Sequence, residues 1–157
     1  CYSYSKSLSL PGERFGYVLV PKQVTDADSV YAAAAGAGRS LGYVNAPSLF
    51  QQVVSRCCDL TADISIYERN CELLTGSLRE MGYHVVQPGG AFYLFPRSLE
   101  PDDVAFSERA KTFDLLLVPG SGFGAPGHFR IAYCVQTEMI ERSLPRFRAL
   151  ADSYKGS

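Results

Sequence analysis

The sequence has little excess charge of either sign and no long apolar run. Its 157 residues include 15 Lys and Arg against 16 Asp and Glu, for a net charge of −1. Scattered cations of this kind give no support to a nucleic-acid or membrane-surface role. No apolar run approaches the roughly 18 residues of a membrane span, and no charged and then apolar leader of the secretory type is present. We therefore expect a cytoplasmic protein that binds neither nucleic acid nor membranes.

Patterns typical of disulfide frameworks and metal sites are also scarce. The five cysteines are an odd number without a C-x-x-C pair, and only two histidines, His84 and His128, accompany them. We expect no metal site, reduced thiols that pack as small residues, and histidines that are ordinary strand residues. The chain starts at Cys1 without a methionine, in what reads as a strand end, so we expect it to be a piece of a longer protein.

An apolar fraction of 46% and a charged fraction of 20% are typical of a globular protein with a hydrophobic core. The strongest periodic signal predicts a long helix closed by Gly82, because its apolar residues recur every three or four positions. These residues are Ile64, Tyr67, Cys71, Leu74, Leu78 and Met81. Further helices are predicted at about 30–35, 47–58, 102–111 and 137–152.

Local signals define how these helices begin and end. Thr25 and Asp28 resemble a capping box, and we interpret the glycines from Gly36 to Gly42 as a helix stop rather than a dinucleotide loop. Pro145 should kink or break the last helix. Strands are predicted at 15–20, 115–118 and 129–135, and a hairpin at 83–86 and 91–95 around Pro88-Gly89-Gly90. Mixed helices and strands indicate an α/β or α+β protein.

Residues 3–17, SYSKSLSLPGERFGY, place a lysine among serines and an arginine beyond a Pro-Gly turn. A lysine amine in a desolvated setting forms imines with carbonyl compounds. Hydroxyls from Ser3 and Ser5 and the guanidinium of Arg14 suit a phosphate dianion. Together with Lys6 they would match pyridoxal 5′-phosphate, which carries an aldehyde and a phosphate. On spacing alone, a polar loop with a surface lysine and arginine is the simpler interpretation.

Four motifs in order resemble the class I/II aminotransferases, which are fold-type I pyridoxal-phosphate enzymes. The first is S-x-S-K followed by G-x-R-x-G-Y, from Ser3 to Tyr17, in which Phe15 replaces a smaller aliphatic residue. The others are N-A-P-S at 45–48, P-G-G-A-F-Y at 88–93, and V-P-G-S-G-F-G at 118–124 with F-R-I-A at 129–132. They span nearly the whole chain, which makes the resemblance specific.

The resemblance implies a role for each matching residue. Lys6 would hold the cofactor as a Schiff base and move the proton between the substrate Cα and the cofactor. Ser3 and Arg14 would bind the cofactor phosphate, with Ser5 as a weaker candidate. The substrates would be an amino acid and a 2-oxo acid, and the enzyme would be a homodimer.

Arg130 would clamp the substrate α-carboxylate. Its strand places Phe129, Ile131 and Tyr133 on one face, which leaves Arg130 with the small Ala132 on the other. A planar guanidinium suits bidentate carboxylate binding. The alternative is a surface arginine in an ion pair, and the preceding V-P-G-S-G-F-G favours the functional interpretation.

The implied fold is α/β, the C-terminal part of the transferase fold. Residues 1–60 would end the large cofactor-binding domain, and 61–157 would form an α+β small domain with the long connecting helix. In the family, an aspartate that pairs with the pyridinium nitrogen precedes the lysine, so we expect the isolated chain to be inactive. A lyase or racemase of the same fold, or the effector domain of a transcription regulator, remains possible. Whether Arg39 or Ser40 occupies a distal-carboxylate position stays open.

Overall fold

The computed structural model describes residues 1–155 and divides the chain into two compact units, Cys1–Ala62 and Asp63–Ser157. Both units combine helices with short strands. Among the described residues no helix has the length and apolar character needed to cross a membrane. The predicted domain boundary between residues 60 and 61 concerns the whole enzyme and stays a prediction.

In the first unit, two short strands bring the ends of the lysine segment together. They pair antiparallel, with Ser3 opposite Gly16. A Cβ on Gly16 would lie 2.4 Å from the Tyr2 carbonyl oxygen, so only glycine allows this approach. The unit comprises β1 (Tyr2–Ser3), α1 (Tyr4–Ser7), β2 (Gly16–Tyr17), α2 (Ala27–Ser40) and α3 (Ser48–Cys57). Strand β2 is shorter than the predicted 15–20.

Helix α2 continues through Gly36 and Gly38, so the predicted stop at these glycines is wrong. The helix ends where Gly42 adopts a φ of +88° and the Tyr43 amide donates to the Gly38 carbonyl at 2.9 Å. This closure satisfies the last carbonyls of a helix and favours glycine after its end. The predicted capping box is also wrong, because the N-cap is Asp26 and no side chain caps the helix there.

The first unit buries little apolar surface. Within its described residues, Val54 is the one fully buried apolar side chain. Large apolar side chains remain exposed, among them Leu19 (71%), Tyr43 (75%) and Val44 (71%). The unit therefore has little hydrophobic core of its own to stabilise it.

The second unit contains the hydrophobic core. Its three-stranded antiparallel sheet has the order β3–β5–β4, and α4 contacts α6. Its elements are α4 (Ser65–Glu80), β3 (Tyr93–Leu94), α5 (Asp103–Lys111), β4 (Val118–Pro119), a 3-10 helix (Gly120–Phe123), β5 (Phe129–Ala132) and α6 (Thr137–Asp152). The most deeply buried core residues include Leu74, Leu78, Leu94, Phe106, Phe129 and Leu150. The predicted stripe on α4 forms part of this core, except that Ile64 is 66% exposed.

The predicted hairpin does not form. Strand β3 pairs with β5 instead, with Tyr93 opposite Ala132. Residues 83–86 form no strand, although Tyr83 and Val85 alternate into the core. The Arg79 side chain donates two hydrogen bonds to the Val85 carbonyl, at 2.8 and 3.1 Å, which occupies a group that a strand ladder would use. Strand β4 also starts later than the predicted 115–118, and β5 ends before 135.

Pro145 was predicted to kink or break α6, and the helix is continuous through it, so it does not break there. Proline removes one backbone donor from the helix. Side chains on both sides of it, Ile140, Phe147 and Leu150, are buried in the core. This packing stabilises the helix despite the lost hydrogen bond.

Asn70 connects three elements of the second unit. Its fully buried amide donates to the Tyr133 and Val135 carbonyls at 3.1 and 2.8 Å, and its oxygen accepts from the Thr137 hydroxyl at 2.8 Å. We expect Asn70→Leu to lower the free energy of unfolding by about 2–4 kcal/mol, because it leaves buried polar groups unpaired. Urea denaturation followed by circular dichroism measures this loss. Thr137→Ser, which keeps the hydroxyl, should cost much less, and equal losses would contradict the prediction.

Candidate active site

Ser3 and Ser5 bring two hydroxyls together at the start of α1. Ser3 is the N-cap residue, and its Oγ accepts from the Ser5 amide at 3.3 Å. The Ser3 hydroxyl donates to the Ser5 hydroxyl at 2.9 Å. Serine favours this position because its side chain satisfies a backbone donor of the first turn. The spacing S-x-S therefore places both hydroxyls side by side.

Lys6 follows directly in the same short helix. Its side chain is exposed, and the neighbouring Ser5 and Ser7 are half-buried. Lys6 thus directly follows Ser5, one of the two paired hydroxyls, along the chain. An amine and hydroxyls on one short segment are the groups that would bind an aldehyde that also carries a phosphate.

Arg14 lies on the returning part of the segment, two residues before Gly16. It adopts a φ of +52°, and its Nη1 donates to the Pro11 carbonyl at 2.9 Å. The pairing of Ser3 with Gly16 brings the two backbones together, while the guanidinium bonds within its own turn. The strand pairing therefore brings the chain near Arg14 back towards Ser3, and the role of Arg14 in phosphate binding stays a prediction.

Four aromatic rings hold the base of this loop. Tyr2 stacks on Tyr17 with ring centroids 5.3 Å apart, and Tyr4 lies 5.3 Å from Phe15. Partial burial raises the pKa of Tyr4 above its usual value. Aromatic pairs of this kind contribute roughly 0.5–1.5 kcal/mol each. Phe15, which departs from the family motif, is thus one of the rings that close the lysine loop.

In the second unit, Arg130 lies between two aromatic rings. Its guanidinium carbon is 4.6 Å from the ring centroid of Tyr93 and 4.1 Å from that of Phe123. The side chain is half-buried, and none of the ion pairs found among residues 1–155 includes it. Aromatic rings attract a guanidinium by its charge and take none of its N–H donors, which stay available for a ligand. The alternative of a surface ion pair is therefore not what the structure shows.

Asp103 supports the loop that carries Phe123. It is 5% exposed, and its carboxylate accepts from the Ser121 amide at 2.7 Å and the Gly127 amide at 3.3 Å. The hydrogen bond from Ser121 is the main reason that the pKa of Asp103 lies below its usual range. Gly120 is required beside this contact, since a Cβ would lie 2.3 Å from the Ala125 carbonyl oxygen.

Sequence reasoning missed Tyr93, Phe123 and Asp103 as site residues. Tyr93 and Phe123 belong to the motifs P-G-G-A-F-Y and V-P-G-S-G-F-G. Aromatic residues within these two motifs were the sequence signal that could have identified them. Asp103 follows Asp102, which caps α5 by accepting from two amides. Because Asp102 already caps the helix, the adjacent carboxylate of Asp103 is available for a different contact.

The other residues considered from the sequence make different contacts. Arg39 is exposed in the last turn of α2, and the Ser40 hydroxyl donates to the Gly36 carbonyl at 3.0 Å. His84 lies in no strand, contrary to the prediction, and its carbonyl accepts from the Arg97 amide. His128 forms an isolated bridge with Arg97.

Comparison with known proteins determines the family. Residues 1–147 match the model of the family described as aminotransferase class I and II. The chain belongs to this family. It is 31% identical, over 147 residues, to the aspartate/prephenate aminotransferase of Thermus thermophilus, an alignment that covers 91% of this chain and 38% of that protein.

Two solved structures confirm the predicted fold. An aminotransferase from Eubacterium rectale superposes with a TM-score of 0.87 at 55% identity, over 98% of this chain and 39% of that one. The aspartate aminotransferase of Thermotoga maritima gives 0.77 at 26% identity, over 95% and 38%. The chain therefore has the α/β fold of part of an aminotransferase, and it spans less than two fifths of the length of these relatives.

Proposed function

We propose that this chain is the C-terminal part of a pyridoxal-phosphate-dependent aminotransferase that transfers an amino group between an amino acid and a 2-oxo acid. The observation that carries the proposal is Arg130, a half-buried guanidinium that contacts two aromatic rings and has no carboxylate partner in the described residues. This setting suits a carboxylate ligand, which every amino acid and 2-oxo acid provides. The names of the relatives support the same reaction.

The residues of the lysine loop fit the cofactor. The adjacent hydroxyls of Ser3 and Ser5 would donate to its phosphate, and Arg14 would offset part of the negative charge. The Lys6 amine would hold the cofactor covalently and then take up and return the proton at the substrate Cα. When bound, pyridoxal phosphate supplies a carbonyl for amines and an electron sink for the electrons left on Cα.

Arg130 would orient the substrate. A bidentate contact fixes both oxygens of the α-carboxylate and so restricts rotation of the Cα substituents. The flanking rings of Tyr93 and Phe123 would keep water from the two faces of the guanidinium.

The names of the relatives favour amino transfer over the alternatives. Those with the strongest matches are described as aminotransferases, several of them for aspartate. A panel of amino acids and 2-oxo acids, with products identified, distinguishes transfer from a lyase or racemase reaction. A protein that binds these compounds without turnover would be an effector domain. We further propose that the whole enzyme is a cytoplasmic homodimer, as the family resemblance implies.

Covalent labelling tests the assignment of Lys6. Borohydride reduction of the complete enzyme with pyridoxal phosphate should fix the cofactor to this lysine, because reduction makes an imine permanent. Peptide mass mapping locates the label. The matched variant Lys6→Arg keeps the charge and should remain unlabelled. A label on Lys22, Lys111 or Lys155 in the unmodified enzyme would overturn the assignment.

A further inference from the structure

We propose that Phe123 and Asp103 are positioning residues for Arg130: Asp103 fixes the loop from Ser121 to Gly127, and this loop holds the Phe123 ring against the guanidinium. The inference rests on the proposed function, in which Arg130 binds the substrate carboxylate. It adds two residues that do not touch the carboxylate themselves. Their effect on substrate binding would be exerted through the orientation of one side chain.

The two rings approach Arg130 from different elements. Tyr93 lies on β3, the strand next to β5, while Phe123 ends the 3-10 helix after β4. Phe123 is 50% exposed, so burial alone does not hold its ring. Phe95 contacts it edge-on, with centroids 6.0 Å apart, on a chain segment near β3. The ring is therefore placed by its loop and by its contact with Phe95.

An arginine side chain needs such placement to bind a carboxylate in a bidentate manner. Its several torsions give it about 2 kcal/mol of rotamer entropy, and its donors lie in one plane. Contacts with two rings, at 4.6 and 4.1 Å from the guanidinium carbon to the ring centroids, limit the orientations that this plane can adopt. The aromatic pair thus reduces the entropy lost when the substrate binds.

Asp103 controls the loop because a single carboxylate contacts both of its ends. Oδ2 accepts from the Ser121 amide and Oδ1 from the Gly127 amide, at 2.7 and 3.3 Å. Between these points the chain reverses, with Gly124 at a φ of +74°. The backbone of Asp103 is itself held, since its carbonyl accepts from the Ser107 hydroxyl at 2.8 Å. Backbone hydrogen bonds from Gly124 to the Ser121 carbonyl and from Ser98 to the Gly127 carbonyl also hold the loop. Loss of the carboxylate would leave both amides unpaired and remove the link between the loop and α5, which would let the ring shift.

The test uses four variants of the complete enzyme that contains this chain. Phe123→Leu removes the ring and Phe123→Tyr keeps it, whereas Asp103→Ala removes the carboxylate and Asp103→Asn keeps an acceptor oxygen. The measurements are KM and kcat for an amino acid, cofactor content, and the inhibition constant of propionate. Propionate has a carboxylate and no amine, so it reports on carboxylate binding alone.

We expect Phe123→Leu to raise KM and the inhibition constant of propionate together, by roughly 3- to 30-fold, the worth of one cation–π contact. The value of kcat should change by less than about threefold, and cofactor content should stay normal. Phe123→Tyr should restore the original constants. Asp103→Ala should repeat the effect of Phe123→Leu, and Asp103→Asn should lie between Asp103→Ala and the unmodified enzyme.

Two comparisons make the outcome decisive. Thr137→Val destabilises the same unit at a residue outside the loop, by removing the hydrogen bond to Asn70. If it raises KM as much as Phe123→Leu does, the effect is general destabilisation and the positioning proposal is wrong. If Arg130→Ala raises KM while Phe123→Leu and Asp103→Ala do not, positioning is wrong and the proposed function stands. If Arg130→Ala changes nothing, both are wrong.

Discussion

Replacing Arg130 with alanine should lower kcat/KM for amino acids by roughly 30- to 5,000-fold in the enzyme that contains this chain. A bidentate, charge-assisted contact to a desolvated carboxylate is worth roughly 2–5 kcal/mol, and each 1.36 kcal/mol changes a rate constant tenfold. Alanine removes the fork and leaves the Tyr93 and Phe123 rings around an empty volume. Steady-state kinetics with an amino acid and a 2-oxo acid measure the loss.

The pattern of the loss separates substrate binding from cofactor binding. Arg130→Ala should retain the cofactor after dialysis, because Arg130 has no proposed contact with the phosphate. Arg14→Ala should show the opposite pattern, with weaker cofactor retention as its first symptom. Arg130→Lys keeps the charge without the fork and should recover only part of the activity. Unchanged kinetics for Arg130→Ala would reduce this arginine to a surface residue.

Sequence reasoning identified elements more reliably than it identified their partners. The helical stripe from Tyr67 to Met81 depends on spacing within one segment, and it appears in the core as predicted. The hairpin failed because strand pairing is not a local property. Tyr83 and Val85 alternate as strand residues do, yet the carbonyl of Val85 is taken by Arg79 and β3 pairs with β5.

The end of helix α2 was also predicted at the wrong residues. Gly36 and Gly38 lower helix propensity by about 1 kcal/mol each, which made a stop at these residues a reasonable prediction. The helix instead ends at Gly42, which alone of the three has a positive φ. Hydrogen bonding to the Gly38 carbonyl decides the end, and composition does not reveal it.

The face of β5 on which Arg130 lies was predictable from the sequence, but the residues around Arg130 were not. Alternation along β5 placed Arg130 opposite the core face, in agreement with buried Phe129 and Tyr133. Its aromatic neighbours come from β3 and from the loop after β4, so only the fold brings them together. The Asp103 carboxylate likewise accepts from the amides of Ser121 and Gly127, which lie 18 and 24 residues further along the chain. The roles of Lys6, Ser3, Ser5 and Arg14 stay predictions.

The 157-residue chain on its own should hold little cofactor and show no aminotransferase activity above that of dissolved pyridoxal phosphate. The lysine loop would contribute only the side chains of Ser3, Ser5 and Arg14 and the Lys6 amine. These are few contacts for a cofactor whose ring and phosphate must both be held in place, because preorganisation of the site supplies much of the rate. The family resemblance also implies an aspartate, preceding the lysine, that keeps the pyridinium nitrogen protonated. Absorbance after dialysis and a coupled assay for the 2-oxo acid product measure both quantities.

The same preparation should show two levels of stability. Residues 63–155 contain nearly all of the buried apolar side chains, whereas Val54 is the one described in the first unit. Exposed Leu19, Tyr43 and Val44 also favour self-association. Limited proteolysis should therefore cut first within residues 1–62 and leave a resistant fragment that starts near Asp63, because cleavage follows local opening.

The proteolysis result also determines how the activity assay is interpreted. Asn70→Leu should make the second unit sensitive to the protease, because it destabilises this unit. The variant therefore serves as the control that resistance to proteolysis reflects folding. If the second unit is resistant and cofactor is absent, the residues of this chain fold without completing the site. If the chain alone retains one cofactor per molecule and turns over, then Lys6, Ser3, Ser5 and Arg14 suffice to hold it. The need for an aspartate outside these 157 residues would then be wrong.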